Sequence, residues 1–168
     1  KYFKIGGDNG FLPAMFFYTL TLFHGLENET VLKLQNKEGI YYLKKLIDSE
    51  FPQAVTFFWF QVSLNNAKND LFAKFHLLAE HDNGSLDMFK KHFPIDMSQE
   101  EIDEYKQKCL NVFEKESNKG NEYIMSFYAN ILLEGNGILP NEGKAYYYLR
   151  KLISLGNTEA MVKYGLQL

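Results

Sequence analysis

At 168 residues, 46% hydrophobic and 16% aromatic, the chain has apolar mass for one buried core or one short helical stack. Its net charge of −3 offers nucleic acid no basic surface, and no apolar run reaches the roughly 20 residues that cross a bilayer. One cysteine, Cys109, excludes an intrachain disulfide and points to a reducing compartment, so an intracellular, cytoplasmic protein is expected.

In chain order, residues 2–7 read as the end of a helix. Gly10 follows them where a left-handed cap residue is needed. Residues 11–23 form the first complete helix, closed by Gly25, and residues 26–36 read as a polar loop. Residues 38–49 return as a helix. Pro52 suits the first turn of the next one, which runs to Leu64. Asn65 and Asn66 then make a turn, and residues 70–80 are helical through Leu71, Phe75 and Leu78. A turn at 82–84 precedes a short helix at 85–92. Residues 98–117 carry the clearest isolated helix. Ser98 and Glu101 form a capping box at its start, and Ile102, Tyr105, Cys109 and Val112 make its buried stripe. After Gly120 a helix runs to Gly135. Asn141 then caps a helix whose Ala145, Tyr148, Leu149 and Leu152 share one face. Gly156 ends it, and another helix begins.

The last third repeats itself and the first. A step of 36 residues carries Gly120 to Gly156, Met125 to Met161 and Tyr128 to Tyr164. A step of 110 carries Gly10, Met15, Phe17, Tyr18, Leu22 and Gly25 to Gly120, Met125, Phe127, Tyr128, Leu132 and Gly135. A step of 106 lays residues 41–47 on 147–153. Such a period marks a helical array, because one helix pair cannot bury its apolar stripe without stacked neighbours. The expected fold is therefore all-α, a right-handed superhelical solenoid of antiparallel helix pairs. Its divisions are the end of a preceding repeat at 1–10, a repeat at 10–49, degenerate repeats at 50–82 and 83–119, a repeat at 120–155 and the start of the next at 156–168. The chain opens inside one motif and stops inside another, so a segment of a longer array is expected.

The unit resembles the Sel-one-like repeat, a branch of the tetratricopeptide superfamily. Gly156, Ala160, Tyr164 and Gly165 match that family's first helix. Gly135, Gly137, Ala145, Tyr148, Leu149, Lys151 and Gly156 match its turn and second helix. The family's paired small residues are replaced by Gly6-Gly7, Leu46-Ile47 and Leu152-Ile153. The likeness covers residues 1–60 and 120–168 and is weak between them. It implies an adaptor surface for proteins or peptides.

No catalytic, cofactor or metal set emerges from the sequence. His76 and His81 stand five apart, off the four-residue spacing of helical metal ligands, and His24 and His92 are isolated. Cys109 lies on an apolar stripe, which suits a buried thiol better than a nucleophile. Gly135 and Gly137 follow a helix rather than a strand, so they read as a turn and not a phosphate loop. The sequons at Asn28 and Asn83 matter only in a secreted chain. Lys44, Lys45, Arg150 and Lys151 recur at one repeat position, as a solvated face or a ridge for acidic partners. If Ala14, Tyr18 and Leu22 face the stack, Phe16, Leu20 and His24 face a concave groove, followed by Gln53, Thr56 and Phe60 and then by Tyr123, Ser126, Asn130 and Glu134. That groove would be apolar at its N-terminal end and polar further on. The function expected is a protein-interaction scaffold, alone or as a subunit of a larger assembly. The partner is a protein or peptide, with no cofactor, nucleic acid or membrane insertion. A purely structural spacer and a helical enzyme are the alternatives.

Overall fold

The computed structural model describes residues 2–23, 29–64, 95–135 and 137–165, with the backbone alone at 29–35 and 64. Among these residues it is all-α, with eight helices and no strand: α1 (Tyr2–Asp8), α2 (Leu12–Phe23), α3 (Glu29–Asp48), α4 (Pro52–Leu64), α5 (Gln99–Asn118), α6 (Glu122–Glu134), α7 (Glu142–Ser154) and α8 (Thr158–Gly165). The helices expected at 70–80 and 85–92, the turn at 65–66, the Gly25 cap, the asparagines of both sequons and all four histidines lie outside the described residues.

One boundary differs from expectation. Residues 29–36, read as polar loop, are the first two turns of α3. The stretch is polar, but Glu29, Leu32, Lys33, Leu34 and Gln35 are good helix formers and no proline interrupts them.

The chain divides into two compact units, residues 1–109 and 110–168, with the division inside α5. Within each unit, helices adjacent in sequence pack on each other: α1 on α2, α2 on α3 and α3 on α4 in the first, α6 on α7 and α7 on α8 in the second. In the first unit Leu43, Leu46, Ala54, Val55 and Phe57 are fully buried; in the second Phe113, Ile124, Met125, Leu149 and Leu152 are. Apart from Ala54, each such side chain contributes roughly 1.5–3 kcal/mol on leaving water. The stripe on α7 lies where its spacing puts it, with Ala145, Tyr148, Leu149 and Leu152 all buried. α1 and α2 approach closely because Gly6 faces Ala14: a Cβ on Gly6 would stand 2.8 Å from that of Ala14.

Among the described residues one kind of corner occurs four times. After α1, α3, α5 and α7, a residue with positive φ turns the chain: Gly10 (83°), Glu50 (55°), Gly120 (91°) and Gly156 (86°). At each, the turning residue's N–H donates three residues back and the next N–H donates five back, as in Phe11 to Gly6 and Asn157 to Leu152, both at 3.0 Å. This is the Schellman closure, which satisfies carbonyls that the helix leaves open. The following residue then caps the next helix. Asn121 and Asn157 do so through their Oδ1, which accepts from Ile124 and Ala160. Gly135 has φ 66° after α6 and closes it with a bond to the Ile131 carbonyl. The capping box on α5 forms in both directions: Ser98 N–H donates to Glu101 at 2.9 Å, and Glu101 N–H donates to Ser98 Oγ at 3.2 Å.

Candidate interaction surface

The even-numbered helices carry the positions expected to line a groove. Phe16 and Leu20 on α2, and Thr56 and Phe60 on α4, are buried, while Gln53 is exposed. On α6, Tyr123 and Glu134 are exposed, Ser126 is buried, and Asn130 is half-buried and accepts from Lys163 Nζ at 3.0 Å. His24 lies outside the described residues. The apolar end of the expected groove is thus core. The reason is that α2 and α4 are apolar around most of their circumference, and such helices are covered on more than one side. The Phe16 ring is surrounded by Phe17, Phe51 and Phe57 at centroid separations of 6.5, 5.7 and 6.1 Å.

The odd-numbered helices are coupled by polar contacts that the apolar periodicity does not reveal. Lys4 on α1 pairs with Glu38 on α3 at 2.6 Å, and Lys44 on α3 pairs with Glu101 on α5 at 2.5 Å. Glu114 on α5 pairs with Lys144 on α7 at 2.8 Å, with the charges reversed. The offering residue always stands six before a corner residue, and the receiving residue four before a tyrosine. Those tyrosines make the second coupling. The hydroxyls of Tyr42, Tyr105 and Tyr148 donate to Asp8, Asp48 and Asn118, each two residues before a corner, at 2.6, 3.3 and 3.4 Å. A third recurrence joins even to odd helices. Tyr18 meets Tyr42 at 5.4 Å, Phe58 meets Tyr105 at 6.1 Å, and Tyr128 meets Tyr148 at 5.4 Å. The even-helix ring is always eight residues after a corner. A sequence signal existed for part of this: the offering residues and the side-chain acceptors Asp8, Asp48 and Asn118 are fixed by counting from a corner, and Tyr42 and Tyr148 each stand eight before one, whereas Tyr105 stands fifteen before Gly120.

Glu101, Tyr42, Lys4 and Cys109 titrate away from their ordinary values. The Lys44 ammonium, followed by the Ser98 N–H, holds the Glu101 carboxyl down at about 2. The bond to Asp8, with burial, pushes Tyr42 up to about 12. Glu38 raises Lys4 above the ordinary lysine range through their hydrogen bond. Burial pushes the Cys109 thiol well up, away from thiolate chemistry.

The expected basic ridge divides in the same way. Lys44 is engaged with Glu101, and Lys151 Nζ donates to the Ser117 and Asn118 carbonyls at the end of α5, each at 3.4 Å. Lys45 and Arg150 are exposed. Beside them, Tyr41 and Tyr147 hold the same place on α3 and α7 and are both exposed. Each is set edge-on against its buried neighbour, Tyr42 at 5.2 Å or Tyr148 at 5.1 Å. Lys45 Nζ lies 5.6 Å from the Tyr41 ring centre. Among the described residues no helix is long and apolar enough to cross a membrane. Comparison with protein-family models, curated proteins and solved structures matches none of them.

Proposed function

We propose that the chain is a helical-repeat scaffold of the Sel-one-like kind that binds protein segments on the exposed side of its odd-numbered helices, at α3 in one unit and, separately, at α7 in the other. The observation that carries this is the recurrence of an exposed tyrosine, Tyr41 on α3 and Tyr147 on α7, each on a helix that also bears an exposed cation, Lys45 four residues after the first and Arg150 three after the second. A tyrosine already held against a buried ring loses little side-chain entropy on binding, which is what an anchoring side chain needs. The neighbouring cations favour an acidic segment. Recurrent corners and inter-helix couplings support the array reading, in which equivalent surface positions present the same chemistry more than once.

A pull-down comparing wild type with Tyr41→Ser, Tyr147→Ser tests it, with circular dichroism as the control for folding. Loss of captured partners at unchanged helicity is expected, and equal recovery rejects the outer face. A second reading, a structural spacer, is favoured by the burial of Phe16, Leu20 and Phe60, which removes the apolar anchors from the other face.

A further inference from the structure

The lysines of the odd-numbered helices are mostly spent on ion pairs. Lys4, Lys44, Lys108 and Lys144 each hold an acid on another helix. Lys37 and Lys45 on α3 differ: both are exposed, and neither is paired with an acid among the described residues. The acids closest to them along α3 are already committed. Glu38 pairs with Lys4 at 2.6 Å and accepts from the Tyr18 hydroxyl at 3.2 Å. Asp48 pairs with Lys108 at 2.8 Å and accepts from the Tyr105 hydroxyl at 3.3 Å.

Lys37, Tyr41 and Lys45 stand at i, i+4 and i+8, so they form one stripe along α3. Tyr41 is 56% exposed and is set edge-on against Tyr42, with Lys45 Nζ 5.6 Å from its ring centre. The stripe is thus an aromatic surface between two cations. It lies inside the chain, and α1 and α5 are already paired to α3 through Glu38 and Lys44. The helices that an array sets beside α3 are therefore present, and the stripe remains exposed next to them. α7 is different. Tyr147 has Gly143 four before it, and Lys151 four after it donates to the Ser117 and Asn118 carbonyls. That tyrosine has an exposed cation, Arg150, on one side only.

We propose that the stripe on α3 binds an extended acidic segment of a partner protein, with an apolar residue between two acids and one residue separating it from each. This rests on the reading that the exposed side of α3 takes a protein segment, and it names the chemistry of that segment. Charge complementarity selects the acids, since carboxylates at both ends answer the two ammoniums. Spacing selects the extended form. Eight helical residues set Lys37 and Lys45 about 12 Å apart along the axis. Alternate side chains of an extended chain share one face, and four of its residues span about 13 Å. Acid, apolar side chain and acid then meet Lys37, Tyr41 and Lys45 in turn. A helical segment docks through a wider apolar stripe than one ring flanked by charges.

Fluorescence anisotropy of a dye-labelled peptide, Gly-Ser-Glu-Ser-Leu-Ser-Glu-Ser-Gly, titrated with the 168-residue chain tests this. Lys37→Gln and Lys45→Gln should each weaken binding by up to about fivefold, the effect of one exposed charge pair. A peptide with glutamine for both glutamates should bind correspondingly more weakly, and raised salt should narrow the difference. The variant Lys37→Glu, Lys45→Glu should reject the acidic peptide and take its lysine counterpart, which separates charge recognition from loss of fold. Tyr147→Ser should leave the titration unchanged. An acidic peptide that does not bind, or binds no better than the glutamine peptide, overturns the proposal. So does tighter binding of a helix-forming peptide with its acids eight residues apart. If the acidic and glutamine peptides bind alike and Tyr41→Ser releases both, the reading of α3 as a binding surface stands and the acidic preference alone falls.

Discussion

At the scale of the residue, backbone conformation is the clearest constraint. Gly120 has φ 91° and open space where a Cβ would sit. Gly120→Ala therefore introduces strain without a clash, and a loss of about 1 kcal/mol is expected in urea unfolding. An unchanged midpoint would mean that the corner relaxes out of the left-handed region. The glycine corners at 10, 120, 135 and 156 were legible because glycine after a helical run has one common use. Glu50 was not legible in this way, since nothing in a glutamate announces φ 55°. It is found only by placing its helix end beside the others, where its N–H bonds Ile47 at 2.8 Å and that of Phe51 bonds Leu46 at 3.0 Å.

At the scale of the element, the start of α5 links helix capping to charge pairing. Glu101 takes part in both the capping box and the pair with Lys44. Its carboxyl is held at about 2 in the folded protein, below the ordinary 4.5. A depressed folded-state value favours the ionised form, so the stabilisation is full above the unfolded value and is lost as pH falls through 4.5 towards 2. Wild type should therefore lose its advantage over Glu101→Gln across that window, seen as converging thermal midpoints. A constant difference between the two proteins would assign the glutamate a purely steric role. The capping box itself could be read from Ser98 and Glu101, because both partners lie within one turn. Lys44 could not, being 57 residues away. The start of α3 is not legible for a different reason: polar composition is common to loops and to helices, and it does not tell the two apart at residues 29–36.

At the scale of the whole molecule, the all-α class was legible, and so was the packing of sequence-adjacent helices within each unit. The depth of burial was not. Spacing gives one buried stripe per helix, but whether the opposite side is also covered depends on what the chain brings against it. This is why Phe16, Leu20 and Phe60 were assigned to a surface and are core instead. Ala145 tests the part that was legible. It is fully buried on the packed face of α7, so Ala145→Leu should cost about 1–3 kcal/mol by overpacking. An unaltered urea midpoint for that variant would place the stripe of α7 elsewhere.

The reversed charge pair makes the segments of this chain unequal as interchangeable parts. α3 receives with Glu38 and offers Lys44, whereas α5 receives with Glu101 and offers Glu114, and α7 receives with Lys144. Excision of residues 10–49 would splice Lys4 opposite Glu101, a matched junction. Excision of 50–119 would splice Lys44 opposite Lys144, and like charges so placed repel. The polarity of one ion pair therefore biases which shortened versions of the chain are favoured, by the fraction of a kcal/mol that exposed like charges cost, about 0.2–0.5 kcal/mol.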